Sequence, residues 1–171
     1  MTKIMLVTGG RDRGGDLGRL GKLTPKSARD IEWAVDRSTR LLTFENGVAD
    51  WEAAASVESK AAVVVSRYSP EVYGLDASPP HIVNTLVRLR RAEVDAGLRH
   101  VRFHPIDRSD DVLLIYEEGL VCIMRCRHVL WHQTHGRYDL KFVSTDDSAA
   151  HFEDQDGTSV IFSLSDGRRV A

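Results

Sequence analysis

Cysteine is scarce in this 171-residue sequence, which contains only Cys122 and Cys126. Because both fall on one predicted strand, they would make a poor disulfide, so we expect them to be reduced, buried and metal-free, as in a cytoplasmic protein. No apolar run is long enough to span a membrane, and the segment Met1–Thr8 is too short for a signal peptide. The sequence therefore predicts a soluble cytoplasmic protein without a membrane partner.

Motifs of common enzyme families are missing as well. The sequence has no Gly-x-Ser-x-Gly, His-Glu-x-x-His or Cys-x-x-Cys motif, so it decides neither for nor against an enzyme. Its net charge of -2 and its pI near 6.4 argue against a general binder of nucleic acid or anionic membranes. A local basic patch is still compatible with these values.

Length and composition suggest one domain. With 42% hydrophobic residues the chain can bury one sizeable core, so we expect a single domain over residues 1–171, with the loop at 74–78 as the place where it could divide.

Arginine outnumbers lysine 18 to 5, which suggests a bacterial or phage source with a GC-rich genome. Neither a cofactor nor an oligomeric state is indicated.

The clearest strand pattern lies in the second half. The apolar run Val112–Tyr116, a turn with Gly119 at positive φ and the strand-forming run Leu120–His132 predict a hairpin. A three-residue loop ending in a left-handed Gly136 would pair the second run with Tyr138–Phe142. Residues 111–164 are thus predicted to form one antiparallel meander with these side chains on one buried face: Leu113, Ile115, Cys122, Met124, Leu130, Leu140 and Phe142.

Two further strand signals flank this region. Residues 150–154 and 158–164 are expected to form a hairpin around Gln155-Asp156-Gly157. Residues 98–104 alternate between apolar and polar side chains, with Val101 and Phe103 on the apolar face. A half-exposed strand is therefore expected before the meander.

The first half has apolar residues at helical spacing. An opening strand, Lys3–Val7, leads to a helix that begins at Thr24-Pro25 and ends near Phe44. A second helix is predicted over residues 49–60 and a third from Ser78-Pro79-Pro80 to Gly97, while Ala61–Ser66 favours a strand between them. The predicted fold is α+β, with helices mainly in the first half and an antiparallel β-meander of about five or six strands in the second half.

A segment rich in glycine and arginine, Gly9–Lys22, follows the opening strand. Closely spaced glycine amides before a helix can bind phosphate, because no Cβ blocks the approach and the helix N-terminus favours negative charge. The segment matches neither G-x-G-x-x-G nor the P-loop pattern, and the other interpretation is an exposed loop without a ligand. A phosphate or nucleotide site here would use these residues: Gly9, Gly10, Arg11, Arg13, Gly14, Gly15 and Lys22.

The start of this segment has a family resemblance. The run Leu6-Val7-Thr8-Gly9-Gly10-Arg11-Asp12 resembles the opening of SLOG-type Rossmann-like nucleotide-binding proteins, and its Val-Thr-Gly-Gly part also resembles short-chain dehydrogenases. Both resemblances imply nucleotide binding after the first strand. They cover under ten residues, and the sequence lacks the second glycine-rich motif of the former and the Tyr-x-x-x-Lys of the latter.

A second candidate site is basic. Arginines and histidines recur along the third predicted helix and the strand after it, as in proteins that bind phosphate. Acidic residues at Glu93, Asp95 and Asp107 dilute this charge, so a solvated surface is the alternative. The candidate patch consists of Arg88, Arg91, His100, Arg102 and His104, of which the two histidines could act as an acid and base pair.

No metal site is predicted. Four soft ligands share one parity of the predicted strand, but the outermost two, Cys122 and His132, would lie roughly 33 Å apart. Cys126 and His128 are close enough to share a metal, but the predicted register places His128 opposite Phe142, which favours a core role for both. The acidic residues near the C-terminus lack the ligand spacing of a calcium loop and fit a hairpin turn better. They are Asp146, Asp147, Glu153, Asp154 and Asp156.

The function predicted from these features is a non-enzymatic binding or regulatory protein that recognises a partner with its sheet or with the basic segment. The alternative is an enzyme or sensor that binds a nucleotide or another phosphate-bearing small molecule with the segment Gly9–Lys22. The expected partner is a protein or a phosphate-bearing small molecule, and the net charge argues against nucleic acid.

Overall fold

The structure, a computed structural model, describes residues 4–9, 30–31, 33–37, 51–67, 69–91, 100–106 and 109–171. Within them the chain forms twelve strands in three antiparallel sheets, together with a short helix, α1, at residues 30–31 and 33–37. Most described residues of the first half are in strands. The predicted α+β class with helices mainly in the first half is therefore wrong.

Each sheet is a meander in which strands adjacent in sequence are adjacent in space. Sheet 1 contains β1 (Ile4–Gly9), β2 (Trp51–Ser56), β3 (Ala61–Ser66), β4 (Glu71–Ala77) and β5 (Pro80–Arg88). Sheet 2 contains β6 (Val101–Pro105), β7 (Asp111–Tyr116), β8 (Gly119–Met124) and β9 (His128–Thr134). Sheet 3 contains β10 (Lys141–Thr145), β11 (Ala149–Glu153) and β12 (Ser159–Ser163).

The sheets stack as layers around three apolar clusters. One face of sheet 1 packs against α1 through Ile31, Ala34 and Val35, and its other face packs against sheet 2. The opposite face of sheet 2 packs against sheet 3. The order of layers is therefore α1, sheet 1, sheet 2, sheet 3, with sheet 2 enclosed between two others.

Sheet 2 is enclosed because its middle strands are apolar on both faces. Leu114 and Val121 point into the cluster shared with sheet 1, whereas Leu113 and Leu120 point into the cluster shared with sheet 3, and all four are 0% exposed. A strand buried on both faces has a continuous apolar run, since period-2 alternation arises only where one face meets water. This region therefore has two buried faces, whereas the sequence predicts one.

The predicted helix from Ser78-Pro79-Pro80 to Gly97 is wrong where the structure describes it, because residues 80–88 form β5. In the pairing of β4 with β5, Val72 lies opposite Val87 and Tyr73 opposite Thr85, which leaves Leu86 as an extra residue. A second register shift leaves Val83 as an extra residue in the same way. Such β-bulges break the alternation. The apolar residues consequently recur at intervals that imitate a helix.

The predicted helix over residues 49–60 is also wrong, since residues 51–56 form β2. Three consecutive alanines give this segment high intrinsic helix propensity. In the structure Ala54 packs toward sheet 2 while Ala53 and Ala55 pack toward α1, and each is at most 1% exposed. Burial against both neighbouring layers outweighs the local preference. The strand predicted at Ala61–Ser66 is confirmed as β3.

Other predictions in the first half agree with the described residues. The opening strand is present as β1, and residues 30–31 and 33–37 of the first predicted helix are helical; the remainder of that helix lies outside the described residues. β1 pairs antiparallel with β2. A Rossmann-like sheet is parallel, so the resemblance of the opening residues does not extend to the sheet.

The long strand predicted after Gly119 is interrupted. Arg125 and Cys126 have φ values of 52° and 57°, and the amide of Arg127 donates to the carbonyl of Met124 at 2.9 Å, which closes a turn between β8 and β9. A register shift then places Trp131 opposite Cys122. Leu130 is consequently 50% exposed and does not join the buried face as predicted.

Two glycine predictions have different outcomes. Gly136 is left-handed, with φ of 67°, but β9 and β10 do not pair, because the chain leaves sheet 2 there and starts sheet 3. Gly119 is not at positive φ; it is needed because a Cβ would collide with the backbone carbonyl of Gln133 and with the ring of Tyr116. The single predicted meander therefore divides into two sheets, while the hairpin of β11 and β12 around Gly157 is confirmed.

Candidate ligand-binding cleft

The glycine-rich segment contributes one described residue to the structure. Gly9 ends β1, whereas the other residues predicted to bind phosphate, from Gly10 to Lys22, lie outside the described residues. A phosphate or nucleotide site at this segment therefore stays a prediction.

The predicted basic patch is distributed over three places. Arg88 lies at the end of β5 with an exposed side chain, 3.3 Å from Glu71. Arg91 is buried between sheets 1 and 2. On β6, Arg102 extends toward sheet 3 together with His104, whose Nε2 lies 3.1 Å from the hydroxyl of Thr145.

Arg91 holds sheets 1 and 2 together. Its Nε and Nη2 donate to the two carboxylate oxygens of Glu117 at 2.7 and 3.2 Å, and its Nη1 donates to the carbonyls of Ser66 and Ser69. Both charged side chains are only 4% exposed. A buried guanidinium with four of its five donors used in this way is a structural group.

The four soft ligands do not converge. Cys122 lies in the cluster between sheets 2 and 3, Cys126 lies in the turn that faces sheet 1, His128 is exposed, and His132 places Nε2 2.6 Å from the hydroxyl of Tyr116. Among the described residues no group of three or more His, Cys, Asp or Glu is arranged to hold a metal ion. Burial raises the pKa of Cys122 to about 12, so its thiol is neutral.

The acidic residues near the C-terminus stabilise turns. Asp154 Oδ1 accepts hydrogen bonds from the amides of Asp156 and Thr158, at 3.0 and 2.8 Å. Asp146 Oδ1 accepts from the amide of Ala149 at 2.8 Å, and its Oδ2 lies 2.6 Å from Nε2 of His151. These carboxylates cap hairpins, which agrees with the turn interpretation.

A cleft of about 630 Å³ opens where one side of sheets 2 and 3 meets the end of β2 and β3. β6 forms one wall, and the segment that leads into β10 forms the other. The cleft is lined by Glu52, Arg67, His100, Val101, Arg102, Ile115, Tyr116, Glu117, His135, Tyr138, Asp139, Leu140, Lys141, Phe142, Phe152 and Gln155.

The apolar part of the cleft is centred on Phe142. Its ring centroid lies 5.5 Å from that of Phe152 in an edge contact and 4.7 Å from that of His104. The guanidinium carbon of Arg102 lies 4.5 Å from the same ring, a cation–π contact. Leu140 and Phe142 both pack against the cluster between sheets 2 and 3. The cleft is thus an open continuation of that core.

Carboxylates at the rim are paired with guanidinium groups. Arg67 lies 3.5 Å from Glu52, and Arg137 lies 2.5 Å from Asp139 and 3.4 Å from Asp154. Burial raises the pKa of Glu52 above its usual 4.5, an effect that nearby Arg67 opposes. Glu52 therefore depends on its cationic neighbours to remain ionised.

Two more polar groups are fixed at the rim. Burial lowers the pKa of His135, whose ring stacks against Phe162 and whose Nδ1 accepts a hydrogen bond from the amide of Arg137 at 3.0 Å. The neutral ring accordingly carries its proton on Nε2. The hydroxyl of Tyr138 donates to Glu118, which raises the pKa of Tyr138.

The described lining includes no serine, threonine or cysteine, and its hydroxyl groups are those of Tyr116 and Tyr138. The cleft therefore combines an aromatic floor with a few polar and charged groups at the rim, a composition typical of ligand sites.

Sequence reasoning had identified two parts of this site separately. The sequence assigns Phe142 to the core face, where the structure places it, and Arg102 to a basic patch whose members the structure separates. What was missed is that sheet 3 folds over sheet 2 and brings the two side chains into contact. No local pattern indicates that contact, because 40 positions separate Arg102 from Phe142.

No protein-family model matches the chain, and no curated protein matches it either. None of the helical residues that the structure describes forms a helix long and apolar enough to cross a membrane.

Proposed function

We propose that this is a non-enzymatic binding protein that takes a small molecule into the cleft between sheets 2 and 3. The observation that carries the proposal is the cleft itself, whose volume of about 630 Å³ lies within the roughly 300–1,000 Å³ that ligand sites occupy. The composition of the cleft also supports small-molecule binding, because apolar rings form its floor and hydrogen-bonding groups lie at its rim.

The support for reversible binding is the way the polar groups are held. Glu117 is tied to Arg91, Asp139 to Arg137 and the neutral His135 to a backbone amide. Groups fixed by such contacts are pre-organised, which lowers the entropic cost of binding a ligand.

The alternative is a phosphate or nucleotide site on Gly9–Lys22. Its support is the strand β1, which ends at Gly9, the position from which such a loop would start. Against it stands the antiparallel pairing of β1 with β2, since the known phosphate loops follow strands of parallel βαβ units.

A thermal-shift screen of chemically diverse small molecules tests the proposal, because a ligand that binds the native state raises Tm. Hits are then titrated against Phe142→Ala and against Val143→Ala. Val143 is the next residue of β10 and is 56% exposed outside the cleft lining, so it is a matched control in the same strand.

We expect Phe142→Ala to weaken binding at least tenfold and Val143→Ala to leave it unchanged. Equal affinity of both variants and the unaltered protein would overturn the proposal. Loss of binding in Arg11→Ala/Arg13→Ala alone would favour the alternative instead.

A further inference from the structure

The carboxylates that face the cleft are matched by cations. Glu52 pairs with Arg67, Glu117 with Arg91 and Asp139 with Arg137, at 3.5, 2.7 and 2.5 Å. Two of these cations, Arg91 and Arg137, are not among the residues that line the cleft. The negative charge of the rim is therefore neutralised from within the protein.

Two cations of the lining differ from these. In the part of the chain that the structure describes, no carboxylate oxygen lies within 4.0 Å of Arg102 or Lys141, although Glu52 is near enough to Arg102 to interact electrostatically. The close contact of Arg102 is with the ring of Phe142, and a cation–π contact uses none of the five guanidinium N–H donors. Arg102 thus keeps donors that can form a fork around an oxyanion.

The position of Arg102 joins charge to apolar surface. Its guanidinium lies against the ring of Phe142, whereas the carboxylates of the lining are paired with other cations. A cationic group that is not ion-paired at close range therefore lies directly beside the apolar floor of the cleft.

From this juxtaposition we infer that the ligand of the cleft is an amphipathic anion, in which a carboxylate or phosphate head is bound by Arg102 and an apolar body packs on Phe142. The inference rests on the proposed function and specifies its ligand class. Both heads share the oxyanion chemistry that a guanidinium recognises, so the experiment includes each of them.

Isothermal titration tests it with five probes: benzoate, hexanoate, phenyl phosphate, and the neutral analogues benzamide and hexanamide. We expect each carboxylate to bind at least tenfold more tightly than its amide, because a guanidinium forms stronger hydrogen bonds with a charged oxyanion than with a neutral amide. The order of phenyl phosphate and benzoate identifies the preferred head.

Arg102→Gln is the decisive variant and Arg88→Gln its control. Both remove one arginine charge, but Arg88 lies on β5 of sheet 1 and is not part of the lining. We expect Arg102→Gln to weaken acid binding about ten- to hundredfold and to leave amide binding unchanged, so that the variant no longer prefers acids to amides. Arg88→Gln should keep the affinities of the unaltered protein.

The possible failures are distinguishable. If amides bind as tightly as acids and Phe142→Ala weakens both, the inference is wrong while the cleft is still a binding site. If no probe binds and the screen against Phe142→Ala also gives no cleft-dependent ligand, both proposals are wrong. Acid binding that survives Arg102→Gln and disappears in Arg11→Ala/Arg13→Ala would place the anion at the glycine-rich segment and overturn the inference.

Discussion

The two faces of sheet 2 form interfaces of different character. Toward sheet 1 the contact is mainly aliphatic, with Leu114, Val121 and Ile123 all fully buried and Phe103 and Tyr116 as its aromatic members. Toward sheet 3 the contact is rich in aromatic rings, with Phe152 in edge contact with both Phe142 and Phe162. One sheet thus has a sealed core on one face and, on the other, a core that opens into the cleft.

Polar contacts explain why one interface closes and the other opens. The sheet 1 interface is closed at one end by the buried pair of Arg91 and Glu117. The sheet 3 interface is held on the β9 side, where Trp131 Nε1 donates to the carbonyl of Leu164 at 2.9 Å. On the β6 side Arg102 and His104 lie against Phe142, so this edge of the interface is polar. The difference shows that a ligand site can form where an aromatic core meets a charged edge strand.

The largest effect is expected from breaking the closed interface at its ion pair. Glu117→Ala leaves the buried guanidinium of Arg91 without its partner, which should lower the free energy of unfolding by about 3–5 kcal/mol. Arg88→Gln breaks an exposed pair and should cost about 0–1 kcal/mol. Urea unfolding measures both, and equal losses would show that Arg91 does not join the sheets.

Leucine truncations compare the two interfaces directly. Leu114 and Leu113 are neighbours on β7, both 0% exposed, and point to opposite faces. Because both are in closed parts of the core, Leu114→Ala and Leu113→Ala should each cost about 2–5 kcal/mol in chemical denaturation. A loss below about 1 kcal/mol for Leu113→Ala alone would mean that the sheet 3 interface is loosely packed throughout.

Alanine substitutions at two glycines distinguish the cost of backbone strain from the cost of steric crowding. Gly167 and Gly136 have φ of 73° and 67°, so alanine at either position costs about 1–2 kcal/mol. A Cβ at Gly167 would also lie 2.5 Å from the ring of Trp131, whereas a Cβ at Gly136 meets nothing within 4 Å. Thermal unfolding should therefore show a greater loss for Gly167→Ala. Similar Tm values would indicate that the tail does not pack against Trp131.

The smallest effect is expected from the histidines. Burial lowers the pKa of His132 and of His135 below the usual 6.5. Below pH 6.5 the unfolded chain binds protons that the folded histidines do not, so stability should decrease as the pH falls through 6.5 and level off below the folded pKa values. His132→Gln and His135→Gln should each flatten this slope in denaturation from pH 7.5 to 5; an unchanged slope would contradict the burial of that ring.

Some of the fold was predictable because local chemistry agrees with the tertiary structure. Asp156-Gly157 specifies a hairpin turn, and β11 and β12 pair around it. The turn between β8 and β9 has no such signal, since Arg125 and Cys126 adopt left-handed φ without being glycine, asparagine or aspartate. In β5 the bulges at Val83 and Leu86 create a false helical period.

The site was predictable only in its components. Charge indicated Arg102 and periodicity indicated Phe142, but their meeting depends on the packing of one sheet over another. Arg91 shows the same limit. The sequence assigns it to a basic patch, but in the structure Glu117, 26 positions away, holds it in a buried ion pair. Long-range contacts of this kind have no counterpart in local sequence patterns.

Amide hydrogen exchange with and without saturating benzoate tests the central claim that the open interface is the ligand site. We predict slow exchange in β7 and β8 in both states, and added protection by benzoate limited to residues 100–102 and 138–142, because ligand binding suppresses local opening. Protection by benzoate in residues 9–22 or in β5, with none along β6 and the start of β10, would contradict the account.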